Sequence, residues 1–555
     1  MANRDLTKGE PGRILRAYCL PMFGSVFFQQ MYNLADSFTA GRFIGEAALA
    51  AVGNSYELTL IYLAFALGCN TGASVVVARY FGAKRYDRVK TSIFTALIAT
   101  GVVCAALLLA GMALAAPLLR AIRTPSNTFR DSITYLKIYT AALPFVFFYN
   151  VTNGIFCALG DSKTPFLFLV VSSCANVALD ILFVARLGMK VSGVGWATFL
   201  CQGAACIPAA IVLVKKIKKL EAGAAPAFER PVLREFVRVA VPGVLQQGVV
   251  AAGNIAIQGV VNVYGAAVMA GYSAAVKMNN LVTACFSTIG SGVSNFTAQN
   301  LGAARPERLR GGFRASVWLV WTIALTMCLI YELIPGRLVR VFLTDASDKA
   351  LKTGVDFRRI AAPFYFAPAV KIMCDGVLCG ADKMKHVVFT IFLDISLRAL
   401  TAAVCSAVFG TAFSVWFAWP IGWVIAAVVT GILFRQVLWR HVAQVSNEGL
   451  NERFEGNGDE DEPVSDERAG KGSDSHGGRD DEGRNRAPSA ECAAYALRWV
   501  HGAGNRGAHG AADRQHFQDV PAIPGGRAGI VRDEQIRRQP SGVERGAGKT
   551  DPVAL

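Results

Sequence analysis

Charged side chains make up only 17% of the 555 residues, and before about residue 445 the chain holds long stretches with almost none. Patterns that carry reaction chemistry are also scarce. Four of the six histidines lie beyond that point, and the other two, His386 and His441, are too isolated to form a metal site. The 13 cysteines include no C-x-x-C pair and read as small apolar helix residues in a reducing or lipid setting. No convergent His, Ser or Cys set supplies a nucleophile and base, so an enzyme is not expected. No basic patch interleaved with aromatics appears, so the net charge of +16 does not indicate nucleic-acid binding. The stretch VERGAGKT, residues 543–550, has Val543 where a P-loop needs glycine and lacks a preceding strand, which excludes ATP hydrolysis of that kind. No small-residue cleavage pattern follows the basic start MANRDLTKGEPGRILR, so the first apolar segment is expected to be retained.

Apolar length is abundant. Hydrophobic residues are 53% of the chain and mean hydropathy is +0.38. Runs of about 20 residues or more, enough to cross a hydrocarbon core of roughly 30 Å as helices, fall at 14–40, 48–78, 92–119, 132–158, 166–187, 191–217, 234–262, 266–299, 313–335, 354–380, 386–409 and 412–438. They are too long and too evenly apolar for barrel strands, and lipid leaves no other option than helices. An all-α, twelve-span membrane protein is expected. Lys and Arg favour the side shared by the N-terminus and the exits of even-numbered spans, about 25 against about 13. Both termini are therefore expected in the cytoplasm, with the spans in the cell membrane.

An internal repeat organises the spans. GCNTGASVVVARYFGAKR at 68–85 and TIGSGVSNFTAQNLGAAR at 288–305 share G-x-S-x-x-x-A-x-x-x-G-A at an offset of 220. Pro21 pairs with Pro242, Asn33 with Asn254, and GVGWAT at 193–198 with SVWFAW at 414–419, all 221 apart. Six spans per half is an even number, so the halves share one orientation, which predicts two lobes related by an axis along the membrane normal with a path between them. The expected divisions are an N-terminal lobe, 1–220, a basic linker, 221–233, a C-terminal lobe, 234–445, and a tail, 446–555, too poor in large apolar residues to fold.

Asp36 falls in the first span, inside QQMYNLADSFTAGRFIGEAALAAVG. A charge at the bilayer centre costs about 2.5–3.5 kcal/mol and normally faces a working cavity. In the fifth span Asn176 and Asp180 stand at i and i+4, on one helix face, and Thr198 begins the sixth. Two carboxylates, an amide and a hydroxyl would suit a small hard cation; two close carboxylates in a dry pocket would instead hold a proton. The same groups could also serve an interface or helix packing. The matching positions of the second half are Ile257, Leu397, Thr401 and Trp419, so every such ligand is lost together there, which packing alone does not predict.

With NLADSFTAGRFIGEAALAAVG, the Gly-Ala-rich exits of spans 2 and 8, ALGDSKTP at 158–165, NVALDILF and SVWFAWPIGW, residues 10–440 resemble the multidrug and toxic compound extrusion (MATE) transporters. The resemblance implies secondary active efflux of cationic, amphipathic compounds in exchange for Na⁺ or H⁺, no other cofactor, and a coupling site at Asp36, Asn176, Asp180 and Thr198. It also implies a substrate cleft lined by ordinary apolar and aromatic side chains. Some members carry acids in helices 7 and 10; here helix 7 offers only Gln246 and Gln247.

Further groups complete the set of expectations. Asp375 in span 10 is expected near the cytoplasmic end, in an interface or drug contact. Asp394 and Arg398 are spaced for an intrahelical ion pair. Glu57 and Lys277, 220 apart, could close an outer gate across the lobes or each reach the headgroups. A lipid-linked oligosaccharide flippase is the alternative. It calls for extra helices or a strongly cationic central cavity, and Lys277 and Arg398 are the cations that the spans are expected to offer. Small substrates and lipid are the expected partners, with a monomeric chain.

Overall fold

The computed structural model describes residues 5–39, 46–122, 124–221, 223, 225–342 and 347–455, with side chains for all of these except 27, 30–54, 56, 57, 127, 341, 342 and 437–455. The chain divides into two compact units, Met1–Glu462 and Pro463–Leu555, the second of which lies outside the described residues. The helices of the first unit are α1 (Pro11–Thr39), α2 (Glu46–Gly82), α3 (Tyr86–Ala121), α4 (Ser126–Ala141), α5 (Leu143–Ala158), α6 (Lys163–Asp180), α7 (Lys190–Lys218), α8 (Arg230–Asn262), α9 (Ala266–Gly302), α10 (Glu307–Leu333), α11 (Pro335–Phe342), α12 (Asp348–Ala361), α13 (Phe366–Gly380), α14 (Met384–Phe409), α15 (Ala412–Val415) and α16 (Ala418–Glu455). Among the described residues there is no strand.

Eight of these helices are long and apolar enough to cross a membrane, and up to ten spans result if each of two bent pairs counts as one. The protein is a multi-pass membrane protein. Each stretch expected to be a span holds a helix or a bent pair; those at 14–40 and 266–299 hold α1 and α9, of 29 and 37 residues. The bends were not expected. The fourth stretch breaks by 47° between α4 and α5, and the tenth by 54° between the segment Asp348–Phe364 and α13. Proline explains both positions: Pro144 opens α5 and Pro363 sits in the 3₁₀ turn Ala362–Phe364, where the missing N–H and the ring clash stop the preceding helix. The last helix is described as far as Glu455; the rest of the expected tail, 456–555, lies outside the described residues.

The repeated motif turns out to be a packing device. Gly68 and Gly72 stand four apart on α2 and let α8 approach until a Cβ on Gly68 would come within 2.4 Å of Val244 and one on Gly72 within 2.9 Å of Ala240, the close contact that small residues permit between membrane helices. At the ends of α2 and α9 the two copies of the motif touch each other. A Cβ on Gly82 would lie 2.0 Å from the Gln299 carbonyl oxygen, and one on Gly302 2.0 Å from that of Arg79. Hydrogen bonds tie the same end together: Ser74 donates to Asn295 (2.7 Å), Gln299 to the Ala158 carbonyl (2.7 Å), and the Leu6 backbone to Gln299 (3.0 Å).

Four helices finish in one kind of turn. After α2, α5, α9 and α13, residues Lys84, Gly160, Ala304 and Asp382 take the left-handed conformation. The next N–H reaches back five residues to a carbonyl in each case, Arg85 to Tyr80, Asp161 to Phe156, Arg305 to Asn300 and Lys383 to Leu378, which satisfies carbonyls that a helix end leaves free. Asp161 then caps the turn into α6, accepting from the Thr164 backbone N–H (3.0 Å) and hydroxyl (2.6 Å) and pairing with Lys216 of α7. Across the exits of α2 and α13, Arg79 pairs with Glu235 and Asp382 (3.7 Å each), Arg238 pairs with Asp382 (3.5 Å) and Tyr80 donates to Glu235 (2.9 Å).

Candidate functional site: a buried acid on α6 and a polar cavity lined by both halves

Asn176 and Asp180 share the buried face of α6, each only 1% exposed, and Thr198 is buried at 5% on α7, which packs against α6. Neither Asn176 nor Asp180 is without a partner. The Thr198 hydroxyl donates to the Val194 carbonyl (3.1 Å), which leaves its oxygen lone pairs as the group a cation would use. Asp36 belongs to α1, which also packs on α6, but its side chain lies outside the described residues. α6 ends at Asp180 and passes directly into a π-helix, Ile181–Arg186. Such turns are rare and frequent at functional sites, because the widened coil frees local backbone groups. Nothing in the residue pattern announces it.

A cavity of about 350 Å³ is lined by α2 of the first half and by α8, α9, α13, α14 and α16 of the second. Apolar and aromatic side chains were expected around the cargo. Such side chains are present in this wall, Val75, Val250, Ile372, Met384, Trp419 and Trp423 among them, and they share it with six amides, Asn70, Gln246, Gln247, Asn254, Asn279 and Asn280, and with hydroxyls from Thr71, Ser74, Thr283 and Ser287. Gln246 and Gln247 are thus on the wall together.

Two ion pairs cross this lining. Asp394 and Arg398 form the expected pair at 3.1 Å, and the Arg398 guanidinium lies 4.7 Å from the Trp419 ring centre, a cation–π geometry. Asp375 is not at an exposed interface. It is 8% exposed, takes a 2.7 Å bond from Lys371 on its own helix and a 3.2 Å bond from Thr390 of α14, and faces the cavity. Lys371 was missed as a cation within the spans, although it stands at i−4 from Asp375, the same spacing that identified Asp394 and Arg398. Arg358 of α12 was missed too: it is fully buried, with its guanidinium 3.5 Å from the Tyr331 ring centre, so aromatic faces shelter its charge. Lys277 is exposed on α9 and the Glu57 side chain lies outside the described residues, so the gate pair is not brought together among them. The described cysteines are all free thiols.

The model of the MatE family matches the chain twice, over residues 21–182 and 242–404, the second match starting 221 residues after the first. The chain belongs to the MATE family. Its relatives include a probable multidrug resistance protein, YoeA, of Bacillus subtilis (strain 168), 27% identical over 62% of this chain and 76% of the relative. A Shewanella oneidensis protein named FAD transporter is 22% identical over 60% of this chain and 75% of its own length. Among solved structures, that of a MATE protein in complex with MaL6 superposes with a TM-score of 0.76, at 21% identity, over 80% of this chain and 99% of that one; this likeness concerns the fold. MATE proteins are multidrug efflux transporters rather than enzymes, and small molecules are their cargo.

Proposed function

We propose that this MATE protein is a secondary active antiporter that exports small organic compounds, cationic amphipathic ones among them, in exchange for Na⁺ or H⁺. In this reading α1, α9 and the two bent pairs are spans, giving twelve in two six-helix lobes of one monomeric chain in the cell membrane, with both termini cytoplasmic. Asp36, Asn176, Asp180 and Thr198 take the coupling cation in the first lobe, and the cavity between α2 and the helices of the second lobe takes the cargo. The observation that carries the reading is the burial of Asn176 and Asp180 on one face of α6, 1% exposed each, beside a π-helix. A carboxylate in that setting needs a positive partner or a proton, and a driving ion supplies one reversibly. Linkage then requires bound cargo to weaken cation binding by the factor by which the cation weakens cargo binding. The flippase alternative is not favoured, since the relatives carry multidrug-resistance names.

Ethidium efflux from proteoliposomes, driven separately by a Na⁺ gradient and by a pH gradient, tests it. One of the two gradients is expected to drive uphill transport, and Asp36→Asn and Asp180→Asn are each expected to cut the rate at least tenfold. Wild-type rates in the Asp36→Asn protein would reject the coupling site. FAD belongs in the same assay, because one relative is named for it.

A further inference from the structure

Counting the hydrogen-bond capacity of the cavity wall shows what remains for a guest. Lys371 gives one N–H to Asp375; an ammonium has three, and among the described residues no other bond to Lys371 occurs. Asp375 accepts from Lys371 at Oδ2 (2.7 Å) and lies 3.2 Å from the Thr390 hydroxyl at Oδ1, a hydroxyl that is also 2.9 Å from the Val387 carbonyl. The pairing offsets both charges, and Lys371 still has donors to offer. Arg398 gives one N–H to Asp394 Oδ2, and its Nε is buried without a partner, as are Asp394 Oδ1 and Asn279 Oδ1. All four residues line the cavity, and Lys371, Asp394 and Arg398 are more than nine-tenths buried. Buried polar atoms are normally matched by protein or water, and a complementary guest would offer acceptors to Lys371 and Arg398 and a donor or two to Asp394 and Asn279. Trp419 and Trp423 offer flat faces for a ring. Formally the two cations and two carboxylates cancel, so nothing in this lining opposes an acid.

We propose that this cavity recognises an oxyanion, a phosphate or carboxylate carried on a planar, hydrogen-bonding ring system, through Lys371 and Arg398. This deepens the reading of the cavity as the cargo site and rests on it. It widens the cargo beyond lipophilic cations to acids such as ring-bearing phosphate esters.

Equilibrium binding to the full-length protein in detergent, with no ion gradient, separates this proposal from the coupling site. Flavin mononucleotide, riboflavin and ethidium are the probes: the first two share a ring and differ by a phosphate, and the third is a planar cation. Flavin mononucleotide is expected to bind at least tenfold more tightly than riboflavin. Lys371→Gln and Arg398→Gln are each expected to weaken it at least tenfold while changing riboflavin less than threefold, riboflavin binding serving as the control for folding. The double variant Lys371→Gln/Asp375→Asn, which leaves no lone carboxylate behind, should behave as Lys371→Gln does. Failure of the mononucleotide to bind, binding no tighter than riboflavin, or binding unchanged by all three variants would overturn the proposal. Loss of gradient-driven efflux with this binding pattern intact would instead indict the coupling site alone.

Discussion

Gly82→Ala tests the crossing of α2 and α9 directly. The added methyl would sit 2.0 Å from the Gln299 carbonyl oxygen, 2.6 Å from its carbon and 2.7 Å from Gln299 Cα. Since ordinary carbon contacts begin near 3.5 Å, the helices must part by more than an ångström, and because every obstructing atom is backbone no rotamer change relieves the clash. Overpacking of this kind costs about 1–3 kcal/mol, equivalent to a shift of roughly 5–150-fold in a two-state equilibrium. The proper control is Gly259→Ala on α8, where the new Cβ meets nothing within 4 Å and reports only the gain of about 0.8–1 kcal/mol from replacing a helical glycine. Hydrogen–deuterium exchange of the protein in nanodiscs reads the outcome. Peptides covering 79–86 and 299–306 should exchange faster together in Gly82→Ala, by a factor within that range, and at the wild-type rate or slower in Gly259→Ala. Gly302→Ala should reproduce the effect from the other helix, its Cβ falling 2.0 Å from the Arg79 carbonyl. Indistinguishable exchange in Gly82→Ala and Gly259→Ala would refute the claim that these glycines hold the crossing.

Other perturbations follow from the turns and their ion pairs. Burial pushes the Asp161 carboxyl up, but hydrogen bonds from Lys216 and Thr164 outweigh that and hold it below its ordinary value of 3.8. A depressed carboxyl stabilises the fold above its unfolded pKa and ceases to do so as pH falls through the folded one. Asp161→Asn should therefore cost about 3 kcal/mol at pH 7, as breaking one side of a buried pair does, and the difference from wild type in thermal unfolding should shrink steadily below about pH 4. Ala304 sits at φ 52° and Gly160 at φ 78°. Relief of left-handed strain predicts that Ala304→Gly raises stability by about 0.5–1 kcal/mol and that Gly160→Ala lowers it by about 1 kcal/mol, both measurable as shifts in the melting curve.

The helices were legible because span length is set by the bilayer, and the repeat because its small residues recur at fixed offsets. Why they recur was not legible: glycine at 68, 72, 82 and 302 has meaning only once the helix facing it is known. The breaks at Ala142 and Tyr365 were written in Pro144 and Pro363, and hydropathy averaging hid them. At the candidate site, spacing along one helix found Asp394 with Arg398 and placed Asn176 with Asp180. The amide lining of the cavity was not visible, because Asn70, Gln246 and Asn279 come from three helices far apart in the chain and none is unusual where it stands. Lys371 shows a different failure. Its apolar stem and its distance of one turn from Asp375 fit a span well, and the charge was overlooked because it is cancelled locally.

The seal between α2 and α9 is main chain against main chain. Side chains that interlock must choose new rotamers each time they separate and find the old ones each time they return. Gly82 against the Gln299 backbone and Gly302 against the Arg79 backbone have no such memory, and the Ser74–Asn295 bond is a side-chain contact that must be remade. At the glycines themselves such a joint can part and re-form with little rotamer cost, so there its speed is limited by the helices that carry it and not by the contact.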